Sequence, residues 1–147
     1  MLKIKVKIYQ ELTTQELYDL LQLRSEVFVV EQDCVYQDID GKDQNALHVL
    51  GYKNEKLVAY TRVFKPGDYF KEASIGRVVV RASERQHQYG YEIMKASVEA
   101  IKTHFNVTTI KISAQTYLKR FYNTLEFFEV GEEYLEDGIP HIGMLKH

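Results

Sequence analysis

Ser74-Ile75-Gly76-Arg77-Val78-Val79-Val80-Arg81 runs into Ala82-Ser83-Glu84-Arg85-Gln86-His87-Gln88-Tyr89, and Gly90 then opens a stretch that reaches Phe105. Three consecutive valines give the first segment a β-branched centre, which favours a strand. In the last segment Ile93, Met94, Ser97, Val98, Ile101 and Phe105 recur at helical spacing and form one narrow stripe. The polar residues Ala82 to Tyr89 connect the two. The first amides of a helix lack intrahelical partners, and the helix dipole adds partial positive charge there. Such an N-terminus binds anions, phosphates above all. Gly90 permits close backbone approach and Arg85 supplies a charge. The same residues would equally make an ordinary strand-to-helix connection.

Outward from this unit the chain alternates the two periodicities. Leu2 to Tyr9 alternates apolar and polar residues and predicts a half-buried strand. Thr13 followed by Glu16 is a capping box, and Leu17, Leu20, Leu21, Arg24, Val27 and Phe28 continue a helix from it. Glu31 to Asn45 turns acidic, with Asp33, Asp38, Asp40 and Asp43, and predicts a long functional loop. Ala46 to Lys53 and Leu57 to Phe64, joined by Asn54-Glu55-Lys56, predict a hairpin. Ser74 to Arg81 is the next strand, and Val107 to Ala114 another. Leu118, Phe121, Tyr122 and Leu125 mark a short helix. Phe127 to Tyr134 and Ile139 to Lys146, around Glu136-Asp137-Gly138, predict a second hairpin. The order β-α-ββ-β-α-β-α-ββ implies an α/β (α+β) fold, a mixed central sheet flanked by helices, in one domain over residues 1–147.

Composition narrows the function classes. The 147 residues are 45% hydrophobic, and 19 Lys and Arg against 21 Asp and Glu leave a net charge of −2, which argues against a nucleic-acid partner. No apolar run approaches the roughly 20 residues of a membrane span. Met1 to Tyr9 contains no signal-peptide core, so a soluble, cytoplasmic protein is expected. The single cysteine, Cys34, excludes an internal disulfide, and Asp33 beside it opposes a reactive thiolate. Phosphate-loop, nucleophile-elbow and zincin motifs do not occur. Asp38-Ile39-Asp40-Gly41 resembles an EF-hand centre, but Tyr36 and Leu47 would then occupy the first and last ligand positions. The five histidines lack paired ligand spacing, so no metal is expected.

Arg85 through Gly90 resembles motif A of the GNAT acetyltransferase superfamily, with Gln88 where the first glycine is usual. Ala114 to Tyr122, followed by Glu126-Phe127, is similar to motif B, with Glu126 in place of a glycine. Arg24 to Gln32, Tyr36 to Asp40 and Asp137 to His141 resemble the ElaA-like branch of that superfamily. The resemblance implies transfer of an acetyl group from acetyl-CoA to a small-molecule or protein amine, without a metal. It implies that the backbone of Val78, Val79 and Val80 holds the pantetheine like an added strand. The amides of Gln86, His87, Gln88, Tyr89, Gly90 and Tyr91 would take the pyrophosphate beside Arg85. Tyr122 would be the general acid for the CoA thiolate, a phenol being protonated at neutral pH.

Two residues compete as the base, Glu31 through a water and His48 on the next strand, whose imidazole titrates near neutrality. Each also has a structural reading, Glu31 as a partner for Arg24 and His48 as a strand residue. His141 would line the acceptor pocket or shape the last turn. The acidic loop would attract a cationic amine. Arg24 to Glu31 also resembles acyl-homoserine lactone synthases, and a non-enzymatic acetyl-CoA sensor fits the departures at Gln88 and Glu126.

Overall fold

The computed structural model describes residues 1–147. In chain order the elements are β1 Lys3–Ile8, α1 Thr14–Arg24, β2 Leu47–Lys53, β3 Lys56–Phe64, β4 Ala73–Val80, α2 Tyr89–Phe105, β5 Ile110–Gln115, α3 Lys119–Thr124, β6 Phe128–Glu136 and β7 Ile139–Lys146. Seven strands form one mixed sheet in the order β1-β2-β3-β4-β5-β7-β6. Every neighbouring pair is antiparallel except β4 with β5. No helix is long and apolar enough to cross a membrane.

Alternation along the strands divides the core between two faces. Leu47 and Val49 pack with Ile93, Met94 and Ile101 of α2, while Leu50 packs on the other face with Leu20 and Leu23 of α1. The buried stripe of α2 also includes Tyr89 and Ala100, whereas Val98 and Phe105 are only partly covered. Both hairpins close on two-residue turns. Asn54-Glu55 and Asp137-Gly138 have positive φ at both positions, which matches the twist of the flanking strands. Lys56 therefore belongs to β3 and not to the turn.

The capping box forms as the spacing predicts. Glu16 N–H donates to Thr13 Oγ1 at 3.0 Å, and Thr13 N–H returns to Glu16 Oε1 at 2.9 Å. Lys7 Nζ adds bonds of 2.8 Å from β1. Burial alone would raise the Glu16 carboxyl, but the bonds from Lys7 and the Thr13 amide outweigh it and hold it at about 2. Glu16→Ala is expected to cost about 1 kcal/mol at pH 7, the usual size of a capping loss. Because the folded carboxyl titrates below the unfolded one, its contribution is complete above the ordinary Glu range and disappears as pH falls through about 2. Thermal unfolding of parent and variant should therefore converge in strong acid. A gap of constant size would refute this account.

Beyond Arg24 the helix widens. Ser25–Glu31 is a π-helical turn, and Gln32 N–H donates to Val27 O at 3.1 Å. Such turns are frequent at functional sites, and this one places Val27, Phe28 and Glu31 at the cleft described next.

Candidate active site

β4 and β5 pair at Ala73–Ile110 and Ser74–Lys111 and nowhere further along. The remainder of both strands lines an open cleft of about 670 Å³, within the range of small-molecule sites. A bulge aids the opening. The β3–β4 register passes from Tyr60–Val79 to Arg62–Gly76, so Thr61 faces both Arg77 and Val78, and Arg77 takes φ 49°. Bulges of this kind re-aim backbone and side chains beside active sites. Val78, Val79 and Val80 all line the cleft.

At one end of the cleft stands the start of α2. Gln86, Gln88, Gly90 and Tyr91 line it. The Tyr91 and Glu92 amides already donate to Gln88 O at 3.1 and 3.3 Å, leaving the amides of Gln88, Tyr89 and Gly90 as the donors of this turn. Of the expected cradle, Gln86 and His87 belong to the 3₁₀ helix Ala82–His87 that precedes α2, and the Tyr91 amide is engaged by Gln88 O. His87 and Tyr89 side chains do not line the cleft. His87 lies 3.7 Å from Glu84, and Tyr89 is buried in the core. Gln88 and Glu126, which replace the glycines of the family pattern, have φ of 61° and 69°. The left-handed backbone persists where the glycine does not, at a conformational cost of about 1–2 kcal/mol each.

Tyr122 lines the same cleft. Its ring is buried edge-on against Phe121 and Phe127, at centroid distances of 5.1 and 6.1 Å. Its hydroxyl receives no hydrogen bond from the chain, and burial raises its pKa, so the phenol holds its proton.

The two expected bases are placed differently. His48 is fully buried away from the cleft, with Nε2 donating to Asp43 O at 2.9 Å and Nδ1 2.6 Å from the Tyr60 hydroxyl. Burial lowers its pKa. Glu31 reaches the cleft but accepts from both terminal guanidinium nitrogens of Arg85, Nη1 and Nη2, the Nη2 bond being 2.8 Å. Those bonds lower its carboxyl, away from what a neutral-pH base requires. Glu31 thus pairs with Arg85 and not with Arg24, and the Arg85 charge is not free for a phosphate.

The acidic loop is also not a free anionic surface. Arg24 Nε donates to Asp38 at 2.8 Å and Nη1 to Asp43 at 2.8 Å. Arg62 bonds Asp40 and Asp43, and Arg77 lies 2.8 Å from Asp38. Three arginines neutralise three aspartates, and the network fixes the loop that presents Cys34 and Tyr36 to the cleft.

The far end of the cleft is built from the last hairpin. The Asp137-Gly138 turn sets Tyr134 opposite His141, and β5 sets Gln115 opposite the same residue. Residues two apart share a face, so Ser113, Gln115, Tyr134, Glu136 and His141 stand together. Of these, only His141 is a residue that sequence reasoning singles out. The sequence reading puts Glu136 in the turn, whereas the structure makes it the last residue of β6, and no local signal marks the other three.

Known proteins give the arrangement a family. A model described as an acetyltransferase (GNAT) domain matches residues 8–147. Protein ElaA of Escherichia coli K12 is 45% identical over 140 residues, 94% of this chain and 92% of that protein. The crystal structure of an acyl-CoA N-acyltransferase from Pseudomonas aeruginosa superposes with TM-score 0.94 at 40% identity, covering both chains completely. The crystal structure of Escherichia coli ElaA gives 0.92 at 42%, again over both whole chains. The AHL synthase LasI, at 12% identity and TM-score 0.80, shares the fold alone. The splayed strands, the helix start beside them and these similarities place the chain in the GNAT acetyltransferase family, in its ElaA-like branch.

Proposed function

We propose that the protein transfers an acetyl group from acetyl-CoA to a primary amine by direct attack of the amine on the thioester. The observation that carries this reading is the partner-free Tyr122 hydroxyl in the cleft between the unpaired edge of β4 and the start of α2. An unpaired strand edge accepts an extended ligand through its amides and carbonyls, and Val78 to Val80 offer that edge to pantetheine. The amides of Gln88, Tyr89 and Gly90, at the positive end of α2, receive the pyrophosphate. The thioester then lies where Tyr122 can protonate the departing sulfur. No step requires a metal.

An acetyl-CoA consumption assay over pooled amines, with mass spectrometry of the product, tests the reaction. An N-acetylated amine is the expected result, and tight acetyl-CoA binding with no turnover across the panel would favour the sensor reading. Gly90 tests the placement. A Cβ there would meet the Phe121 ring at 3.3 Å, so the glycine lets α2 begin against α3. Gly90→Val should displace Phe121 and with it the adjoining wall of the cleft. Acetyl-CoA affinity measured by calorimetry should fall about tenfold or more, equivalent to at least about 1.4 kcal/mol. Undiminished affinity in a folded variant would count against placing the cofactor here.

A further inference from the structure

We propose that His141 and Glu136 bind the acceptor as its ammonium ion and remove its proton, selecting primary amines that lack a carboxylate beside the nitrogen. This rests on the amine-acetylating reading above. His141 is 7% exposed and lines the cleft. Its Nδ1 lies 2.7 Å from the Ile139 carbonyl oxygen. A carbonyl only accepts, so Nδ1 carries the hydrogen and the neutral ring has its lone pair on Nε2. Nε2 has no hydrogen-bond donor in the chain and stands 3.5 Å from Glu136 Oε2. A lone pair and a carboxylate oxygen at that separation repel, and an ammonium seated beside both, able to pass its proton to Nε2, relieves the repulsion.

The charges around the cleft point the same way. Arg62, Arg77 and Arg85, the arginines that line it, are paired with Asp40 and Asp43, with Asp38 and Asp40, and with Glu31. Glu136 and Asp137 have no Lys or Arg partner. The unneutralised charge is therefore negative and sits at the His141 end. The other titratable groups there are Tyr134, stacked on the imidazole at 6.1 Å, and Cys34, whose Sγ lies 3.5 Å from Asp137 O. A carboxylate on the acceptor beside its nitrogen would face Glu136 and Asp137 with no free cation to receive it.

The proton count closes. The ammonium gives one proton to Nε2, and Glu136 stabilises the imidazolium. The freed nitrogen lone pair forms the C–N bond at the thioester carbon, and the C–S bond breaks. Tyr122 protonates the thiolate, and its phenolate regains a proton from the nascent amide nitrogen. His141 releases the remaining proton to solvent.

The test uses n-butylamine and L-norvaline, which differ by one carboxylate on the carbon bearing the amine. Calorimetry at pH 7 should show the amine binding at least tenfold more tightly. Glu136→Gln should weaken n-butylamine about tenfold and shrink the preference, Asp137 keeping the remainder. Equal binding of the two probes, or an unaffected Glu136→Gln protein, overturns the site. With acetyl-CoA present, His141→Gln should lower kcat/KM for n-butylamine by about 10²–10⁴. Trifluoroethylamine, already neutral at pH 7, should lose far less. Equal losses for both amines would refute proton removal by His141. If the parent protein consumes no acetyl-CoA, the acetylation reading fails, while the binding comparison still decides this site.

Discussion

Tyr122→Phe is expected to lower turnover by about 10²–10⁴, the range for a positioned general acid, while leaving the fold and acetyl-CoA affinity nearly intact. The ring supplies the packing, through its edge-on contacts with Phe121 and Phe127. Phenylalanine preserves those contacts, and the hydroxyl it lacks makes no hydrogen bond within the chain, so no buried partner is orphaned. The proton is needed only as the C–S bond breaks. The loss should therefore appear in kcat and kcat/KM alike, with KM unchanged. Burial holds the phenol in its protonated form across the neutral range, so the parent's activity should not fall at pH 8 through loss of this group. Steady-state kinetics beside a thermal melt decides the matter. Full activity in a folded variant would remove Tyr122 from the chemistry, and a lowered melting temperature with normal kcat would make it structural.

The largest stability effect is expected at Arg24. This side chain is fully buried at the end of α1 and is held by Asp38 and Asp43. Removing one member of a buried ion pair typically costs about 3–5 kcal/mol, because the partner charge stays buried without compensation. Arg62 and Arg77 still serve Asp43 and Asp38, so Arg24→Leu should fall near the lower end, about 3 kcal/mol. For a chain of this length that is a fall in Tm of about 10 °C. Burial alone would raise the Asp43 carboxyl, but Arg24 and then Arg62 bring it below its ordinary value. A carboxyl depressed in the folded state stabilises the protein above the ordinary Asp range and ceases to do so in acid. Without Arg24 the acid limb of the stability profile should move to higher pH. Arg24→Leu combined with Asp38→Leu should recover part of the loss, since one buried charge disappears with its partner. A single variant as stable as the parent would show that the network contributes nothing net.

Local chemistry was legible in the sequence. Thr13 and Glu16 predict the start of α1, the valine run predicts β4, and the residues around Gly138 predict the last hairpin, all because each signal lies within a few residues. The arginine–aspartate network was not legible, since Arg24 finds its partners 14 and 19 residues away. An arginine at helical spacing with Leu20, Val27 and Phe28 gives no sign of a buried ion pair, and aspartates in a loop read as an anionic surface. The same limit applies at the base. His48 has suitable chemistry, but β2 turns it into the interior, and the Glu31 carboxylate reaches the cleft only after a π-helical turn brings it against Arg85. Periodicity reports neither event. Glu136 gave no signal because its significance arises only when β5, β6 and β7 are brought side by side.

The brief pairing of β4 with β5 also has a mechanical side. Two residue pairs join a four-stranded half of the sheet, β1 to β4, to a three-stranded half, β5 with β7 and β6. Val78 to Val80 belong to the first half, His141 to the second, and Tyr122 is on the α3 segment that leaves it. The seven residues from Ser74 to Val80, six steps apart, make an arm of about 20 Å at a strand's rise per residue. A swing of about 5° at the joint moves the tip of such an arm by nearly 2 Å, and an error of about 1 Å between reacting groups can cost about a hundredfold in rate. The side chains packed around Ala73, Ser74, Ile110 and Lys111 are thus the fulcrum of the enzyme. In the proposed reaction their stiffness sets the distance between thioester and amine, though none of them takes part in the proton transfers.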